Sequence, residues 1–359
     1  MTEGFLLTRV LLRFDTEDED IYQELSAAAF TPDGNLWVAS DELLGVERLS
    51  PVESFVFGDR RHFALGNFVN LLNKEDEIDI EGMDYSNNYL WFVGSHSYKR
   101  KKPKGKSAKK DLKRLSTIKL DLNRFLLGRV PVVGGELVKS VEPSDKVKKE
   151  LTAATLKTFE RGNILIEALK EDDHLGNFVS SQIPSKDNGL DIEGLAVHGN
   201  KIFLGLRGPV LRGWAIILEI EVEETEPGVL TLKKIGDDGE LYYKHFVFLH
   251  GLGIRELCLH GEDLIILAGP TMALESVMRV FRLRKVLKFG GDRVFGEESD
   301  RLELLFDLPF SPESDRGEGL AMFPCLGEKD ALMIVYDSPN ERRIPESGQL
   351  FVDVFRLPF

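Results

Sequence analysis

Asp79-Ile80-Glu81-Gly82-Met83 returns as Asp191-Ile192-Glu193-Gly194-Leu195-Ala196 and again as Gly317-Glu318-Gly319-Leu320-Ala321. Looser copies stand at Glu24-Leu25-Ser26-Ala27-Ala28 and Arg255-Glu256-Leu257-Cys258. Each copy leads into a short apolar run, a turn and a second apolar run. Thr31-Pro32-Asp33-Gly34-Asn35 separates Leu25–Phe30 from Leu36–Ser40, and Ser86-Asn87-Asn88 separates Gly82–Tyr85 from Tyr89–Gly94. Turn-forming residues between β-prone runs predict hairpins. Ser116–Leu122, Ala215–Val222, Val277–Leu283 and Leu350–Leu357 supply further strands. The units recur about every sixty residues, a period that predicts a propeller or another repeat array. The expected fold is all-β, a β-propeller of four-stranded antiparallel blades. Five blades are recognisable. The gap between Glu81 and Glu193 is nearly double and leaves room for a sixth.

That gap holds two insertions, a basic loop at residues 99–114 and a helical segment at about 144–174, read as Ser144–Glu171 with a break at Arg161-Gly162-Asn163. The segment Phe5–Phe14 is a strand with no blade of its own, and the last repeat lacks a fourth strand. The N-terminal strand is therefore expected to complete the final blade, making residues 1–359 a single domain.

Composition narrows the function. A net charge of −14 argues against general binding to a nucleic-acid backbone. No run approaches the length of a membrane span, and the N-terminus lacks the layout of a secretory signal. Cys258 and Cys325 give no disulfide framework and read as buried small residues. A soluble cytoplasmic protein is expected.

In a propeller the innermost strands line a central channel. The repeat glutamates Glu24, Glu81, Glu193, Glu256 and Glu318 should then share one rim with the residues that end the second strands. Those include Asp41, Glu42, His96 and Arg207, with Asp79, Asp191, Asp315, Arg255 and Arg316 beside the glutamates. Crowded carboxylates are costly unless they bind a cation, share protons or pair with arginine. Oxygen-rich rings suit a hard cation such as calcium, and arginine suits phosphate or carboxylate. On this reading Asp79, Glu81, Asp191, Glu193 and Glu318 hold a divalent cation. Arg207, Arg255 and Arg316 hold an anion, and His96 transfers protons. The expected activity is cation-dependent hydrolysis of a phosphorylated or other anionic ester. The rival structural reading has each glutamate accepting backbone N–H groups from the next blade, with Arg255 and Arg316 as salt-bridge partners. The rival functions are a non-catalytic scaffold for a protein partner and a small-ligand sensing module.

Ten of the sixteen residues from Lys99 to Arg114 are Lys or Arg. Their position after the second strand of the second blade puts them on the carboxylate rim. They read as a solvated hairpin extension, or as a clamp over an anionic ligand. No aromatic interleaves them to stack bases. There is no P-loop, no G-x-S-x-G elbow and no H-E-x-x-H.

The phrases Asp191–Ala196 and Leu204-Gly205-Leu206-Arg207-Gly208-Pro209-Val210-Leu211-Arg212-Gly213-Trp214-Ala215, with Trp91-Phe92-Val93-Gly94-Ser95-His96-Ser97, resemble a bacterial family of unknown function, number 3616. The resemblance covers nearly the whole chain and implies a β-propeller. The Glu-Gly pieces at Glu81, Glu193 and Glu318 are also similar to esterase-like phytase propellers. Glu24 and Glu256 lack the following glycine and so depart from a complete metal ring of that kind.

Overall fold

The computed structural model describes residues 5–14, 20–40, 43–73, 77–143, 150–272 and 276–358. Asp41, Glu42 and residues 144–149 lie outside them. Five four-stranded groups follow one another along the chain. Blade 1 comprises Leu25–Phe30, Leu36–Ser40, Gly45–Glu53 and Val56–Ala64. Blade 2 comprises Ile80–Ser86, Tyr89–Gly94, Leu127–Val133 and Ala154–Leu156. Blade 3 comprises Asp191–His198, Lys201–Gly208 and Trp214–Glu226, whose long outer edge pairs with both Val229–Lys233 and Tyr243–Phe248. Blade 4 comprises Gly253–His260, Asp263–Gly269, Arg279–Leu283 and Leu302–Asp307. Blade 5 takes Arg316–Met322, Ala331–Asp337 and Gln349–Arg356 from the end of the chain and Leu6–Arg13 from its start.

The ring closes as the sequence predicts. Leu6–Arg13 runs antiparallel to Gln349–Arg356, with Val10 opposite Val352 and Leu12 opposite Leu350. Its other edge touches blade 1 through a short parallel pairing of Leu11 and Leu12 with Val56 and Phe57. The innermost strands neighbour one another in the order 1-2-3-4-5-1. No sixth group occurs among the described residues.

The blades pack through five apolar layers, one per interface. Leu264 and Ile266 face blade 3 beside Phe203 and Ile217, whereas Ile265 and Leu267 face blade 5 beside Leu320 and Ile334. Successive strand residues point to opposite faces, and here both faces are buried. That is why Leu264–Ala268 and Leu332–Tyr336 read as continuous apolar runs rather than as alternation.

Two expectations are corrected. Of the stretch read as helix, residues 144–149 lie outside the described residues; the described part holds short strands, among them Leu151–Thr152 and Ala154–Leu156, and is helical only at Ile164–Leu169, with a further helix beyond it at Gly176–Ser181. Ala154 and Thr155 are captured by the open edge of Leu127–Val133, a tertiary pairing that overrides local helix preference. The third strand of blade 2 is Leu127–Val133, not Ser116–Leu122. Within the latter stretch only Ile118–Lys119 is strand, and it belongs to the basic loop. Among the described residues, no helix is long and apolar enough to cross a membrane.

Candidate functional site

Each innermost strand carries a β-bulge at the same place. In blade 2, Ile80 pairs with Gly94 and Gly82 with Val93, so Glu81 has no opposite residue. The skipped residue is Glu193 in blade 3, Arg255 in blade 4, Glu318 in blade 5 and Ser26 in blade 1. A bulge re-aims one side chain out of the sheet's alternation. The equivalent ring is therefore Ser26, Glu81, Glu193, Arg255 and Glu318. Glu24 and Glu256 do not belong to it; they are offset from the bulge by two residues and one. Glu256 is fully buried and accepts the N–H groups of Leu195 and Leu257, both at 2.8 Å. It thereby fastens blade 4 to blade 3, and burial raises its carboxyl well above the usual range. Ser26 fastens blade 1 to blade 2 by donating to the Ile80 carbonyl at 2.6 Å. The glycine after the bulge admits the neighbouring strand. A Cβ on Gly82 would sit 2.8 Å from the Glu193 carbonyl oxygen, and one on Gly319 would sit 2.9 Å from the Ala28 nitrogen.

The carboxylates converge, and arginines lie between them. Arg207 contacts Asp191 at 2.5 Å and Glu193 at 2.6 Å. Arg255 contacts Glu193 at 3.0 Å and reaches Glu318 with its other nitrogen. Arg124 contacts Asp79 at 2.6 Å and donates to Ser97 Oγ at 2.8 Å. Asp191 and Glu193 are almost wholly buried. Burial pushes Asp191 up to about 7, with Arg207 and Arg124 opposing the shift and Glu193 and Asp79 adding to it.

Sequence reasoning missed Arg124. Its surroundings, Leu120-Asp121-Leu122-Asn123-Arg124-Phe125, mix polar and apolar residues and carry no distinct signal of a buried, paired charge. It also missed Lys186, in the short turn Ser185–Asp187, for which the sequence carries no signal.

Arg207, Arg255, Arg316 and Lys186 line a cavity of about 250 Å³ at the mouth of the channel, among blades 3, 4 and 5. Met278, Leu308 and Phe310 give the lining its apolar part, Thr271, Ser276 and Ser311 supply hydroxyls, and Glu313, Asp315, Glu318 and Asp337 supply carboxylates. Arg316 is more than half exposed and stands 3.6 Å from Asp337. Asp315 anchors the wall: it accepts from Asn340 N and Arg343 Nε, both at 2.7 Å.

His96 is elsewhere, which corrects its proposed role in proton transfer. It is 1% exposed. Nδ1 lies 2.7 Å from the Gly94 carbonyl and Nε2 lies 2.7 Å from the Asn163 amide. Asn163 in turn caps the helix Ile164–Leu169 through Leu165 N and Ile166 N. Burial lowers His96 to about 4, so it is neutral near pH 7 and serves as a fastener.

The expected metal ligands are Asp79, Glu81, Asp191, Glu193 and Glu318. Calcium takes about six to eight oxygens. Here guanidinium groups occupy the oxygens of Asp79, Asp191, Glu193 and Glu318 and repel a second cation. Among the described residues no group of three or more His, Cys, Asp or Glu is arranged to hold a metal. Asp79, Asp191, Glu193 and Glu318, engaged in this way, do not fit a divalent cation.

These features define a closed β-propeller with an arginine-lined pocket at its channel mouth. Residues 24–353 match the family described as "Protein of unknown function (DUF3616)", and the chain belongs to it. No curated protein matches. Among solved structures, regucalcin, a calcium-binding protein from Agrobacterium tumefaciens, is similar at 10% identity and TM-score 0.40, over 99% of this chain and 96% of that one. Virginiamycin B lyase from Staphylococcus aureus is similar at 10% identity and TM-score 0.36, over 98% and 99%. Aldose sugar dehydrogenase from Streptomyces coelicolor gives 12% identity and TM-score 0.37, over 97% and 98%. None of these values supports transferring an activity to this chain.

Proposed function

We propose that this propeller is a binding module for a small anionic ligand, a phosphate or carboxylate on an apolar body. The observation that carries this reading is that Arg207, Arg255 and Arg316, from three blades, meet Lys186 around one cavity whose lining also includes the apolar Met278, Leu308 and Phe310 and the carboxylates Glu313, Asp315, Glu318 and Asp337. Arg207 and Arg255 are held in place by Asp191, Glu193 and Glu318. Arginines fixed in this way need no reordering to receive an anion. Arg316 and Lys186 supply the more exposed charge.

Cation-dependent hydrolysis of an anionic ester needs an activated water or nucleophile. His96 is walled off behind Gly94 and Asn163, and the carboxylates are engaged by arginine.

Thermal melts with orthophosphate, phenyl phosphate, benzoate and calcium chloride test the reading. Phenyl phosphate should raise Tm in a dose-dependent way, by more than orthophosphate at equal concentration, because its ring meets Phe310 and Met278. Saturation at about a hundred times Kd corresponds to about 2.7 kcal/mol. Arg316→Ser should remove most of the shift. Stabilisation by calcium alone, or an anion effect untouched by Arg316→Ser, overturns the proposal.

A further inference from the structure

The basic loop is an ordered extension of the pocket mouth. Lys99–Arg100 pairs with Ile118–Lys119, and a helix at Ala108–Leu115 lies between them. Arg100 holds Asp187 at 2.7 Å, next to Lys186, and Lys99 holds Glu77 at 3.1 Å. Arg114 donates to the Lys102 carbonyl, and Asp111 accepts from Lys104 N at 2.9 Å. Two cations thus anchor the loop to the rim and a third braces it internally. The remaining lysines have no carboxylate partner among the described residues. Partial removal from water, then the fields of Arg207 and Lys102, hold the Lys186 ammonium below the ordinary lysine value. In a chain of net charge −14, this concentration of unmatched positive charge is local and continuous.

Resting on the pocket reading above, we infer that the ligand is a polyanionic small molecule. One anionic group sits among Arg316, Arg255 and Lys186, and a second reaches outward to Lys102 on the loop. The cavity of about 250 Å³ admits one small group and is too small for a nucleic-acid duplex. The bridge between the two halves is Lys186, which lines the cavity and adjoins the residue that anchors the loop.

Titration calorimetry with orthophosphate and with inorganic tripolyphosphate, at one fixed ionic strength, tests this. The wild-type protein should bind tripolyphosphate on the order of tenfold more tightly, equivalent to about 1.4 kcal/mol. The double variant Lys101→Ser, Lys102→Ser should reduce tripolyphosphate to the orthophosphate level and leave orthophosphate affinity within about twofold. Arg316→Ser should weaken both anions. Equal wild-type affinities overturn this inference and leave the pocket reading standing. So does a lysine variant that still prefers tripolyphosphate while Arg316→Ser weakens both. Tripolyphosphate binding that survives Arg316→Ser overturns both readings.

Discussion

Arg255 holds the most consequential position in the channel. It occupies the bulge site that is glutamate in blades 2, 3 and 5, and from there it clamps Glu193 of blade 3 and Glu318 of blade 5. One guanidinium therefore ties three blades together. Arg255→Met should cost about 3–5 kcal/mol, because Glu193 stays buried with only Arg207 beside it. Urea denaturation measures this, and adding Glu193→Gln should recover part of the loss in a double-mutant cycle. His96 makes a second prediction at the same scale. Its folded pKa of about 4 lies below the unfolded value of about 6.5. The unfolded chain thus binds the extra proton between those values. The contribution of His96 is present above about pH 6.5 and is lost as pH falls toward 4, about 3 kcal/mol in all. His96→Gln should flatten that part of the stability profile. An unchanged acid limb would show that His96 is not held neutral.

At the scale of the strand, bulge and glycine form one device. The bulge turns a side chain into the channel, and in blades 2, 3 and 5 the glycine after it leaves room for the neighbouring strand. Gly319→Ala brings a Cβ within 2.6 Å of Val335 and 2.9 Å of the Ala28 nitrogen. It should destabilise by about 1–3 kcal/mol, read as a fall in Tm. This device is why the repeat was legible: Glu-Gly recurs where a bulge glutamate and a close strand crossing coincide. It was legible only in blades 2, 3 and 5. In blades 1 and 4 the bulge residues are Ser26 and Arg255, so aligning on glutamate picked Glu24 and Glu256, which lie beside the true positions. The three anion-binding candidates Arg207, Arg255 and Arg316 were readable because strand ends share a rim. Lys186 was not, since a turn in an insertion has no repeat to align it. Pairing of carboxylate with arginine was one of the readings, with Arg255 and Arg316 as partners, but which carboxylate each arginine clamps was hidden, because it depends on which rotamers cross between blades.

Across the whole molecule, closure is the main device. The strand Leu6–Arg13 completes blade 5 and touches blade 1, so the sheet's first and last segments hold each other. Deleting residues 1–14 should expose the edge of Gln349–Arg356 and open the ring. Size-exclusion chromatography should show aggregates, and calorimetry should show loss of a single cooperative transition. The same closure brings blades 3, 4 and 5 to one pocket, the proposed seat of an anion. Crystals soaked in tungstate, a heavy analogue of phosphate, test that proposal directly by anomalous scattering. The account predicts the strongest peak within hydrogen-bonding distance of Arg316, Lys186 and Arg255. A strongest peak elsewhere, or a calcium ion held by Glu81, Glu193 and Glu318 in a parallel soak, would contradict it.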